Sequence, residues 1–329
     1  MILSIDLRYA HEHGFQFRSN FDNLVNTSSN NPEGLSNEFC NDSDNLPAET
    51  AFHSRLKRHR NTCTLLVALV IAAAFLVYFS LRFGLNSPPS ATGDEPSYDA
   101  IGWQLAMGNG FREDFSAPEF RRPYDKAAGS QPELMTLGES QPGTVTYRPP
   151  LFPFMIAATD LLFGRQFAAI RVLNVLAFAV SGALVARYLL MNVTPAVAVI
   201  GIGLFFVIDV RTRLYSRAIL TESLAVLLTT MMTLALMKVT RSRRCRDAAL
   251  LGMIGGLSIL NRTAFVLWLP ILAIGLLWLT RRPAVGTVAP TPTVTAQDAS
   301  AAQGTLQHRL TLVAVMLLAT VAVYAPWAI

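Results

Sequence analysis

The sequence predicts an all-α protein that crosses the membrane several times. Of its 329 residues, 52% are hydrophobic and only 15% are charged, where a soluble domain carries about a quarter. The apolar residues also cluster into runs of membrane-spanning length. Basic residues gather beside these runs, as in RLKRHR (55–60) and RSRRCR (241–246), which is how Lys and Arg encode the cytoplasmic side. The net charge of +5 is therefore a topology signal. No basic patch interleaves with aromatics, and nucleic acid is not an expected partner.

Residues 1–60 are polar and rich in Asn and Ser, and lack the apolar content of a core. They are expected to form a disordered cytoplasmic tail. His11 and His13 lie in it without the ligand cluster of a metal site. The three cysteines, Cys40, Cys63 and Cys245, are too scattered for a disulfide framework or a zinc site.

The remainder, 61–329, is expected to be one transmembrane domain. Its spans are predicted at about 63–81, 168–190, 195–210, 219–238, 247–261, 264–280 and 310–328. A large polar loop, 85–150, follows the first span. LFPFMIAATDLLFG (151–164) is apolar but too short for a bilayer of about 30 Å. It reads as a helix lying along the outer surface, the alternative being a tilted part of the next span. Residues 283–308 form a Pro, Thr and Ala-rich stretch, read as a cytoplasmic linker. The chain ends at Ile329 inside an apolar run, which reads as a truncated product. The basic clusters put the N-terminus and linker in the cytoplasm and the large loop outside.

The polar loop begins GDEPSY (93–98) and closes TYRPPLFPF (146–154). Asp94 and Glu95 stand at a predicted helix start, where Pro96 is tolerated; a simple helix cap would use the same residue types. The double proline keeps Arg148 out of a helix. An arginine held in extended backbone can grip a phosphate with paired donors, or rest on lipid headgroups. LTESL (220–224) places Glu222 at the outer end of a span, where an acid is costly unless paired or functional. Arg213 and Arg217 just upstream are its candidate ion-pair partners. LNRTAF (260–265) puts Arg262 on the same side, and Arg171 and Asn174 begin the second span. Asp94, Glu95, Arg148, Glu222 and Arg262 thus all map to one side of the membrane under the same charge argument.

The acidic pair followed by Tyr98, the Arg-Pro-Pro-Leu at 148–151, the Thr-Glu at 221–222 and the arginine after Gly-Leu-Ser-Ile-Leu-Asn resemble the membrane-embedded glycosyltransferases of the GT-C fold. The closest likeness is to the branch that includes dolichyl-phosphate-mannose protein mannosyltransferase-like enzymes and the lipid A aminoarabinose transferases. The resemblance extends over about residues 62–329. It implies a polyprenyl-phosphate sugar donor, inverting transfer on the external face of the plasma membrane, and a lipid, glycan or protein acceptor. It further implies Asp94 as base with Glu95 supporting, Arg148 and Arg262 on the donor phosphate, and Tyr98, Glu222 and Arg171 lining the cavity. No cofactor is expected; paired acids holding a divalent ion are the alternative. A flippase of lipid-linked sugars or an inactive truncated scaffold are the competing functions, although a transporter usually carries its polar groups near the bilayer midplane.

Overall fold

The structure, a computed structural model, describes residues 62–130 (apart from 75, 79, 80, 82–84 and 92), 147–208, 218–280 and 296–327. They belong to one compact unit, Lys57–Ile329. The expected tail at 1–60, the middle of the large loop at 131–146, the segment 209–217 with Arg213 and Arg217, and linker residues 281–295 lie outside the described residues.

Every regular element among the described residues is a helix, as the apolar runs predicted. An apolar helix α1 (Thr62–Tyr78) precedes the large loop. That loop folds around α2 (Glu95–Ala106) and α3 (Pro118–Ser130). Next come α4 (Leu151–Phe163), α5 (Phe167–Asn192), α6 (Pro195–Ile208), α7 (Glu222–Ser242), α8 (Cys245–Asn261), a 3-10 turn (Thr263–Leu267), α9 (Trp268–Leu279), α10 (Ala296–Tyr324) and a closing 3-10 turn (Ala325–Trp327). Among the described residues, Phe167–Asn192, Glu222–Ser242 and Leu306–Trp327 are long and apolar enough to cross a membrane; Thr62–Tyr78, Leu151–Phe163, Ala196–Phe205 and Thr263–Leu279 are shorter apolar helices.

Two elements differ from the sequence reading. The last helix starts at Ala296, within the stretch expected to be linker to 308. Its alanines and glutamines are strong helix formers, and the Pro residues that suggested a linker all precede it. The expected span 264–280 is divided: a 3-10 turn carries the chain from Thr263 to Leu267 before α9 begins.

Polar contacts define two ends of the bundle. Near the start of α5, the amide of Asn174 donates to the carbonyls of Ala218 and Leu220, just ahead of α7. At the other end Arg241 of α7 donates to Asn192 of α5. These helices therefore run in the same direction. Helix α8 returns: Asp247 in its first turn meets Lys238 and Ser242, and Asn261 at its last residue donates to the Thr221 carbonyl. Helix α10 runs alongside α8. A Cβ on Gly252 would lie 2.1 Å from the Met316 carbonyl oxygen, and one on Gly256 would lie 2.9 Å from that of Thr320. Only glycine allows this approach, the small-xxx-small packing of membrane helices. Thr320 seals it by donating its hydroxyl to the Gly252 carbonyl at 3.0 Å.

Helix ends follow from local chemistry. Glu222 in the first turn of α7 and Arg241 in its last complement the helix dipole. Arg243 stops α7 in a left-handed conformation, φ 51°. Pro149 and Pro150 forbid an earlier start to α4, and Gly164 at φ 73° ends it. At 13 residues α4 is about 20 Å long, short of the bilayer core.

Candidate functional site

The first turn of α2 is the foundation of the site. Asp94 occupies the N-cap position, yet its side chain makes no capping hydrogen bond. It reaches instead to Arg148, whose Nη2 donates to Asp94 Oδ1 at 2.7 Å. Residues 54 apart in sequence are thus joined at the two ends of the large loop. The simple-cap alternative for Asp94 does not hold.

Arg148 is fixed from below as well as from the side. Its guanidinium carbon lies 5.4 Å from the centroid of the Tyr98 ring, within cation–π range. Tyr98 in turn stands edge-on to Phe152 of α4, with ring centroids 5.5 Å apart. Burial raises the Tyr98 hydroxyl above its ordinary value, opposed by the charge of Arg148, so Tyr98 stays a neutral hydrogen-bond donor at physiological pH.

Asp94, Tyr98, Glu113, Tyr147, Arg148, Pro149, Arg262, Thr263 and Ala264 line one open cleft of about 520 Å³. Four of the residues expected in a site are therefore brought together: Asp94, Tyr98, Arg148 and Arg262. Arg262 arrives because α8 ends at Asn261 and the chain turns there in extended conformation. Its Nη1 lies 3.3 Å from Glu222 Oε1. Glu222 flanks the cleft through this pair rather than lining it. The other carboxylate oxygen of Glu222 is buried without a hydrogen-bond partner among the described residues. The amides of Asn174 and Asn261 hold the carbonyls of Ala218, Leu220 and Thr221, which fixes the backbone that leads into Glu222.

Glu95 and Arg171 occupy a different place from the one expected. Both are buried behind the cleft and form an ion pair of 3.6 Å. Arg171 also donates to the carbonyls of Leu85, Ser87 and Pro88, stapling the start of the large loop to α5. Glu95 accepts from the Ser90 amide. Burial raises the Glu95 carboxyl, and the Arg171 charge opposes that rise. Their work is to hold the loop that carries Asp94; neither reaches the cleft, because the helical turn that points Asp94 outward points Glu95 inward.

Glu113 was not singled out from the sequence. It comes to the cleft because the Ser97 hydroxyl, one turn beyond Asp94 on α2, donates to its Oε1 at 2.7 Å. The FRED stretch around it carries no spacing that would have marked it. The same holds for a second polar cluster on the far side of α2. There buried Asp99 accepts from Tyr124 Oη at 2.9 Å and from Arg165, and the Arg165 guanidinium lies 4.3 Å from the Phe120 ring centroid. This cluster clamps α3 and the start of α5 onto α2.

Among the described residues no three His, Cys, Asp or Glu side chains are grouped to hold a metal ion. Chemically, the cleft offers the carboxylates of Asp94 and Glu113, the phenols of Tyr98 and Tyr147 and the guanidinium groups of Arg148 and Arg262, a set suited to an anionic substrate that must also lose or receive a proton. Nothing among the curated proteins or the solved structures matches the chain. Asp94, Glu95 and Tyr98 precede the stretch 147–295 that a family model matches, while Arg148, Arg171, Glu222 and Arg262 fall within it. Residues 147–295, a little under half of the chain, match the family model for dolichyl-phosphate-mannose-protein mannosyltransferase, which bears out over that stretch the resemblance drawn from the motifs.

Proposed function

We propose that the protein transfers a sugar from a polyprenyl-phosphate donor to an acceptor hydroxyl, with inversion, on the external face of the membrane. The observation that carries this is the shared cleft of Asp94, Arg148 and Arg262. A phosphate entering it meets Arg148 and Arg262. Arg148, which pairs with Asp94 at 2.7 Å, is then drawn away from it. The freed carboxylate accepts the proton of the acceptor hydroxyl as that oxygen attacks the anomeric carbon. The bond to the phosphate oxygen breaks, and the two guanidinium groups stabilise the charge that develops there. Direct attack opposite the leaving phosphate inverts the anomeric centre. Tyr98 supports Arg148 and remains a donor for the phosphate.

Orientation is supported by charge. The far end of α7 carries Lys238, Arg241, Arg243 and Arg244, as expected of a cytoplasmic end, which leaves the cleft outside. The charged residues lie at helix ends rather than midway along the bundle, which favours an enzyme over a flippase. The reading needs no metal, since the arginines supply the positive charge; activity should survive chelation by EDTA.

The test is to supply radiolabelled polyprenyl-phosphate sugars to membranes containing the protein and follow label into lipid, protein or glycan. Transfer that disappears in Asp94→Asn membranes supports the assignment. Label that crosses the bilayer without transfer would replace it with the flippase.

A further inference from the structure

The opposite end of the bundle holds a second, smaller cavity that the proposed chemistry does not use. It measures about 350 Å³ and lies between α5 and α7, lined by Tyr188, Leu234, Met237, Lys238, Arg241 and Ser242. The α7 residues recur at the spacing of one helix face, so their order along the helix is an order in depth. Leu234 and Met237 are nearer the middle of the bundle, and Lys238, Arg241 and Ser242 are at its end. The lining therefore passes from apolar to cationic in the direction from bilayer to water.

The cations are held in place. Arg241 donates to Asn192 Oδ1 at 3.2 Å, a neutral partner that leaves its charge uncompensated there. Lys238 is 3.0 Å from Asp247, the one acid between residues 238 and 247, against Lys238, Arg241, Arg243, Arg244 and Arg246. Arg187 adds a further positive charge beside Tyr188. At 1.5 Å per residue along α7, this cavity starts about 18 Å from Glu222 at Leu234 and its rim at Arg241 lies about 28 Å away.

We propose that this cavity binds the headgroup of one anionic glycerophospholipid, with its acyl chains along Leu234 and Met237 and its phosphate against Arg241. An apolar wall that rises into a cationic rim matches an amphiphile with a negative head. Free phosphate would gain nothing from the apolar half, and a zwitterionic lipid would bring no net charge to the excess of arginine.

The experiment uses the purified full-length chain in detergent with a mixture of phosphatidylglycerol and phosphatidylcholine. Retained lipid is counted by native mass spectrometry. One phosphatidylglycerol is expected to stay bound in preference to phosphatidylcholine. Arg241→Gln should lower its retention by about fivefold, the worth of one basic residue near an anionic lipid. Arg309→Gln removes the same charge at the same end but does not line the cavity, and should retain the lipid. Tyr188→Ala, which removes a wall without changing charge, should also weaken retention. Equal loss in Arg241→Gln and Arg309→Gln, or equal retention of phosphatidylcholine, would show general surface attraction and overturn the site. Displacement of phosphatidylglycerol by an equimolar polyprenyl phosphate would reassign it to the donor lipid.

Discussion

Arg148 and Asp94 form an ion pair of 2.7 Å that closes the two ends of the large loop onto each other. Both are partly open to solvent, and both line the same cleft. In the proposed reaction they have separate duties, so the pair must open for turnover. This gives the two substitutions different signatures. Asp94→Asn should lower transfer by at least about a hundredfold, as expected for loss of a general base. It should leave donor affinity intact or several-fold tighter, since Arg148 no longer has a competing carboxylate. Arg148→Ala should weaken donor binding by about ten- to a hundredfold, the range for a lost charged hydrogen bond. Donor affinity measured by titration on each variant separates the two roles; weaker donor binding in Asp94→Asn would contradict the competition.

The Glu95–Arg171 pair is buried on both sides, at 7% and 3% side-chain exposure. Removing one partner leaves the other charge buried alone, which costs about 3–5 kcal/mol. Arg171→Ala should therefore lower the thermal unfolding midpoint in detergent sharply. Glu95→Gln keeps the hydrogen-bonding shape and should cost less. If Glu95→Gln instead abolished transfer while leaving the midpoint unchanged, Glu95 would have a direct part in the chemistry.

Helices α8 and α10 meet through Gly252, where an added Cβ would press on the backbone carbonyl of Met316. Backbone cannot rotate away as a side chain can. Gly252→Leu should destabilise the fold by at least about 1–3 kcal/mol, the usual cost of overpacking. Gly275 has open space at the same test, so Gly275→Leu should have little effect. Unfolding midpoints of the two variants provide the comparison.

Asp160 on α4 is buried, and neither carboxylate oxygen has a hydrogen-bond partner among the described residues. Burial, then the nearby Asp99 charge, raises its pKa from 3.8 to about 7, with Arg165 opposing. The folded protein therefore holds this proton across a range where the unfolded chain has lost it. Stability from this group is fully present below about pH 4, declines as pH rises toward about 7, and levels off above. Asp160→Asn should remove that decline and raise the midpoint at pH 8 by a few degrees, with little change at pH 4. A pH profile identical in both proteins would remove Asp160 as its source.

Much of the site was legible because its residue types are chemically conspicuous. An acid pair at a helix start, an arginine before two prolines and an arginine breaking an apolar stretch each conflict with their surroundings, and such conflict is visible in one dimension. Asp94, Arg148 and Arg262 were found in this way, whereas Tyr98 entered only through the family resemblance. Glu113, Asp99 and Arg165 were not, because each is ordinary in its own segment and acquires its partner only from a distant one.

The sequence by itself determined that the chain is helical and membrane-embedded, roughly where its helices lie, and which charges share an end of the bundle. Hydropathy and charge are properties of contiguous residues, so they survive without coordinates. Only the tertiary structure decided that Asp94 faces a cleft while its neighbour Glu95 faces Arg171. Adjacent residues on a helix point about 100° apart, and which direction meets water depends on how α2 is set against α4 and α5.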